Sequence, residues 1–162
     1  MTIPSVKGAA ASPTPLTLSD LQPGLWSTRV VFRHGQCDPA GIVYTPKFFD
    51  VFNQAIEQWF CERLGVDYYE VLGPRRIGLG YAAASATFFT PCMMGDEIEV
   101  FVDVGRVGTK SYTLVLHAFK GDGEALRGQF VTVTTSLAAH QSIPIPEDIR
   151  KALVVYSETA RR

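Results

Sequence analysis

The sequence predicts an α+β fold in which one long apolar helix lies against an antiparallel sheet. Apolar residues recur at helical spacing over residues 45–64, where Phe48, Phe49, Phe52, Ala55, Ile56, Trp59, Phe60 and Leu64 form a stripe. From residue 77 onward the pattern switches to period two, the signature of half-buried strands. Those strands follow one another through short turns, which join antiparallel neighbours and leave no room for crossover helices.

Each element has its own warrant. Residues 26–33 are β-branched and aromatic and read as the first strand. Thr45 and Pro46 fit the N-cap and first position of the helix, where a missing N–H costs nothing. Lys47, Asp50, Gln54, Glu57 and Arg63 supply its polar positions, and Gly65 terminates it. A loop through Gly73-Pro74-Arg75-Arg76 leads to a second strand over residues 77–89. In the third, Ile98, Val100, Val102 and Val104 alternate with Glu97, Glu99, Phe101 and Asp103. Tyr112, Leu114, Leu116 and Ala118 mark the fourth, and Gly121-Asp122-Gly123 signals a hairpin into the last, residues 126–137. Pro144 and Pro146 then break the chain before a terminal helix over residues 147–156.

Composition narrows the function classes. At 162 residues the chain reads as one domain, residues 25–158, behind a small, polar, Pro-rich lead-in over residues 1–24 that is expected to be flexible. A net charge of −1 gives no footprint for nucleic acid, and Lys7 alone before Arg29 gives no basic arm. The lead-in has no continuous apolar core of a signal peptide, and no run approaches the roughly 18 apolar residues of a membrane span. Cys37, Cys61 and Cys92 match no zinc spacing and read as reduced thiols, so the expectation is a cytoplasmic protein with no metal.

The chemistry concentrates in His34-Gly35-Gln36-Cys37-Asp38-Pro39-Ala40-Gly41-Ile42-Val43-Tyr44-Thr45-Pro46. Asp38 precedes a proline and is biased away from helix; Gly41 can take a positive φ and reverse the chain. One carboxylate, a turn and the positive end of a helix dipole thus fall within a few residues, which suits attack on a carbonyl. Asp38 would act as nucleophile or general base, with the Thr45 N–H as oxyanion donor. The same spacing describes an Asx turn, and the residues leave both readings open. Cys37 with His34 makes a rival thiol–imidazole pair, but three residues apart on an extended segment they would face opposite ways.

The Asp38-Pro39-Ala40-Gly41-Ile42-Val43 core and the aromatic helix after it resemble the 4-hydroxybenzoyl-CoA thioesterase family of hot-dog-fold enzymes. The similarity covers residues 26–150, with Pro91, Gly95-Asp96, Gly105-Arg106, Lys110-Ser111 and Pro144-Ile145-Pro146 as weaker supporting signals. The resemblance implies a long helix wrapped by a curved sheet, homodimers or homotetramers with sites at the dimer interface, and acyl-CoA thioesters as substrates. CoA would then be part of the substrate and no cofactor is implied. Arg106 and Lys110 match positions where the family places phosphate-binding cations, and Arg75 with Arg76 forms a second basic pair. Two positions depart from the family: Thr45 stands where His or Tyr is frequent, and Asn53 where an acid is common. Other functions compatible with the fold are an enoyl-thioester hydratase or dehydratase, with Asp50 or Glu57 as second acid/base, and a non-catalytic acyl-CoA-binding module.

Overall fold

A computed structural model describes residues 13–161. Six antiparallel strands, β1 (Trp26–Val31), β2 (Ile77–Phe88), β3 (Glu97–Val107), β4 (Ser111–Lys120), β5 (Gly123–Ser136) and β6 (Gln141–Ser142), form one sheet. Its order is β1-β3-β4-β5-β2, with β6 paired to β5. The helices are α1 (Thr45–Trp59), α2 (Tyr68–Leu72) and α3 (Glu147–Ala160). Period-two alternation sends Ile98, Val100, Val102, Val104, Leu114 and Leu116 into the core, all at most 2 % exposed.

The helix α1 lies on that inner face because Phe48, Val51, Phe52, Ala55, Ile56 and Trp59 fall on one side of it. The contact is close: a Cβ on Gly128 of β5 would meet the Phe52 ring at 2.7 Å. Phe52 and Phe130 meet edge to face, with ring centroids 5.7 Å apart.

The elements depart from the sequence reading where local backbone bonds win. Tyr44, in extended conformation, is the cap, so Thr45 is the first helical residue and Pro46 the second, still inside the turn where a missing N–H breaks no bond. The helical run to Leu64 holds, but its last turn, Phe60–Leu64, is π-helical and ends on Gly65 at φ +66. Between Gly65 and the Gly73–Arg76 loop, Asp67 caps α2 by accepting from the Tyr69 and Glu70 N–H groups. The first strand stops two residues early, as Phe32 bonds the turn before β3 (Phe32 N to Asp96 O, 2.9 Å).

Residues 1–12 of the lead-in lie outside the described residues, and from Thr14 onward its backbone bonds to the start of β5. Glu124 Oε2 accepts from the Leu16 N–H (2.9 Å), and Arg127 donates to Thr14 O (3.1 Å). Glu124 is 2 % exposed and also accepts from His117 Nδ1 (2.7 Å) and Arg127 Nε (2.8 Å), so its buried charge is fully bonded.

Strand directions sort the molecule into two ends. The end of β1, the start of α1, the end of β2 and the start of β3 gather at one; the β3–β4 turn and the start of β2 lie at the other.

Candidate functional site

The loop between β1 and α1 folds on itself. Gly41 takes φ +77, and Asp38 N donates to Ile42 O at 2.8 Å. Cys37 and Val43 pair as an isolated antiparallel bridge, and Tyr44 N donates to Gln36 O (2.9 Å). Asp38 Oδ1 accepts from the Ala40 N–H (2.8 Å) and the Ile42 N–H (3.2 Å). The Asx turn is therefore present, and it orients the carboxylate. Oδ1 is engaged, while Oδ2 has no partner among the described residues and the residue is exposed.

Ile42, to which Asp38 is bonded, lies three positions before Thr45 at the start of α1. The first N–H groups of a helix have no intrahelical acceptor, and the Thr45 N–H has none elsewhere among the described residues. Beneath it opens a pocket of about 270 Å³, lined by Ile42, Val43, Thr45 and Phe48 on one side and residues 88–92 on the other. Phe48 and Phe88 meet edge to face across it, 5.4 Å between centroids. Cys92 lines it as a buried thiol whose pKa desolvation pushes up to about 11, which favours the neutral form. The sequence does not reveal residues 88–92 as a pocket wall because Phe88 and Phe89 read simply as strand, Pro91 as a weak family signal and Cys92 as a reduced thiol.

The second side of the loop rests on the turn before β3. Val43 N donates to Cys92 O (2.9 Å) and Met94 N to Gly41 O (2.9 Å). Asp96 Oδ2 accepts from the Met93 N–H (2.7 Å) and from Lys120 Nζ (2.8 Å). The Lys120 bond, followed by the Met93 N–H, holds the Asp96 carboxyl below its ordinary pKa.

Other expected residues are placed elsewhere. Arg106 and Lys110 are exposed at the β3–β4 turn, with Lys110 Nζ 3.4 Å from Ser142 O. From Glu97 to Arg106, β3 spans about 30 Å at about 3.3 Å per residue, so one chain does not bring them to Asp38. Arg75 is not a spare cation: it donates two hydrogen bonds to Asp148 of α3 (2.7 and 2.9 Å). Asp50 pairs with Lys47 (3.4 Å), and Glu57, which accepts from Tyr69 OH (3.1 Å), lies about 18 Å beyond Thr45 at about 1.5 Å per helical residue. No hydrogen bond joins either to Asp38 among the described residues. Asn53 Oδ1 accepts from Tyr81 OH (2.8 Å).

His34–Gln36 is a 3₁₀ turn, not the extended segment expected, so the argument from opposite strand faces does not apply. The Cys37 thiol instead points to Arg33 O (3.6 Å), and no bond joins it to His34. No group of three or more potential metal ligands occurs among the described residues.

A long helix packed against one antiparallel sheet is the hot-dog fold, and the family to which the chain belongs makes it a thioester hydrolase. The chain belongs to the thioesterase-like superfamily, whose family model matches residues 32–153. No curated protein sequence matches it. Among solved structures it is similar to a gentisyl-coenzyme A thioesterase (24 % identity, TM-score 0.71, covering 80 % of this chain and 99 % of that one). It is also similar to a 1,4-dihydroxy-2-naphthoyl-CoA thioesterase from Synechocystis (20 %, TM-score 0.74, 81 % and 96 %). A thioesterase-superfamily protein from Jannaschia sp. superposes with TM-score 0.77 at 23 % identity, covering 83 % and 94 %.

Proposed function

We propose that the chain hydrolyses an acyl-CoA or aroyl-CoA thioester to the free acid and CoA, with Asp38 as nucleophile or general base and the Thr45 N–H as oxyanion donor. The observation that carries this reading is the half-engaged carboxylate: Asp38 Oδ1 is bonded into its own turn, Oδ2 has no partner among the described residues, and the same loop leads through Ile42 and Val43, which line an apolar pocket, to Thr45 with its unpaired helix-terminal N–H. The developing negative charge on the thioester oxygen would meet the N–H, and CoA thiolate would leave. The pocket's aromatic wall favours a compact acyl group, and the resemblance to the 4-hydroxybenzoyl-CoA thioesterase family points the same way. Three free cysteines support a reducing, cytoplasmic setting, and the reaction as proposed uses no cofactor.

The site is completed by a second copy in this reading. At the sheet's end, β2 pairs only with β5 among the described residues, and Gly80–Ser85 are exposed with mostly small side chains. An unpaired edge of this kind suits strand-to-strand association. Antiparallel β2–β2 pairing about a two-fold sets the partner's β3–β4 turn at the same end of the joined sheet as this chain's Asp38. Arg106 and Lys110 of the partner would then meet the CoA phosphates in a homodimer, or in a homotetramer built from two such pairs. Release of free CoA thiol from a panel of aroyl- and aliphatic acyl-CoAs tests the activity. No release from any member would overturn it.

A further inference from the structure

We infer that Lys120 and Asp96 are positioning residues for the catalytic loop, an inference that rests on the Asp38 reading above. The loop carrying Asp38 has two sides. One is closed by its own bonds, the Cys37–Val43 bridge and the Asp38–Ile42 pair. The other is backed only by the backbone of Cys92–Met94 among the described residues, through Cys92 O and the Met94 N–H. Those two groups stay where they are as long as the turn that presents them is closed. Asp96 closes it from within, accepting the Met93 N–H on the same Oδ2 that receives Lys120 Nζ. Lys120 reaches over from the end of β4 and also donates to Pro91 O (3.3 Å), so its ammonium joins both ends of the turn to the sheet. The chain of contacts runs from Lys120 to Asp96, through the Met93 N–H to the flanking Cys92 and Met94 backbone, then to Val43 and Gly41, and so to Asp38.

The pair is half-exposed, so it adds little to global stability. Its effect falls on placement. A shift of about 1 Å in a reacting group costs up to about 100-fold in rate. Lys120→Met is therefore expected to lower kcat about tenfold or more while KM stays within about twofold. Lys120→Arg, which retains both acceptors, should recover most of the loss. Asp96→Asn gives an independent variant that keeps the Met93 bond but weakens the ion pair, and should fall between.

The assay follows thiol release from the best acyl-CoA of the panel, alongside amide hydrogen exchange at Val43 and Met94, which should quicken in Lys120→Met. Asp38→Asn, run in parallel, separates the two ideas. If it retains turnover, the Asp38 reading fails. If it is inactive while folded Lys120→Met and Asp96→Asn keep wild-type kcat and exchange, the positioning role fails alone. A rise in KM with kcat intact overturns it as well, by placing Lys120 against the CoA phosphates.

Discussion

Asp38 has one oxygen committed to its own turn, while the other has no partner among the described residues and is left available for chemistry. Asp38→Asn preserves the Asx turn through its amide oxygen but removes the base. It is expected to fold normally and to lower kcat at least about 100-fold in the thiol-release assay. Cys37→Ala should remain active, since its thiol is turned to Arg33 O. Glu124 behaves differently because its role is structural. Burial pushes its pKa up, but hydrogen bonds from Arg127, Leu16 and His117, with the His117 charge, outweigh burial and set it below the ordinary 4.5. A carboxyl depressed in the folded state stabilises above its unfolded pKa and loses that contribution as pH falls through the folded value. Glu124→Gln should thus cost about 1–3 kcal/mol at pH 7. In thermal melts its gap from wild type should narrow as the pH is taken below 4.5.

Among the elements, α1 and β5 are bound by a single size constraint. Gly128 leaves room for the Phe52 and Phe130 rings, and any Cβ there would lie within 2.8 Å of both. Gly128→Ala is expected to destabilise by about 1–3 kcal/mol through overpacking, measured by urea unfolding with an unchanged m-value. Since Phe52 and Phe48 lie one turn apart on the same helix face, a forced shift of α1 would reach the pocket wall as well. A fall in kcat accompanying the loss of stability would show that coupling; full stability in Gly128→Ala would show that the rings can move aside.

At the scale of the molecule, the two ends of the sheet hold complementary halves of the proposed site. Arg106→Glu or Lys110→Glu should raise KM for acyl-CoA more than it lowers kcat, because phosphate contacts remote from the thioester contribute uniform binding. Added salt should weaken wild-type binding in the same direction. Light scattering at assay concentrations should give the mass of a dimer or tetramer. Ala83→Asp sets like charges near one another across paired β2 strands and should lower association and turnover together. A fully active monomer would remove the shared site and the placement of CoA with it.

The alternation of Ile98 to Val104, the aromatic stripe of α1 and the Gly121-Asp122-Gly123 turn were legible in order because each reports a local period or backbone preference. The same is true of Asp38 and Gly41, whose spacing to Thr45 is a property of a dozen consecutive residues. Tertiary structure decided what depends on distant partners. It anchored the lead-in through Glu124, over 100 residues away, and committed Arg75 to Asp148. It set residues 88–92 as the facing wall of the pocket and Lys120 behind the turn that supports Asp38. It also separated Arg106 and Lys110 from Asp38 by the length of a strand. Local sequence carries the pleat and the turn, because both are set by neighbouring dihedrals. Which side chains converge is set by sheet order, and β1-β3-β4-β5-β2 is a property of long-range pairing that no short stretch of residues encodes.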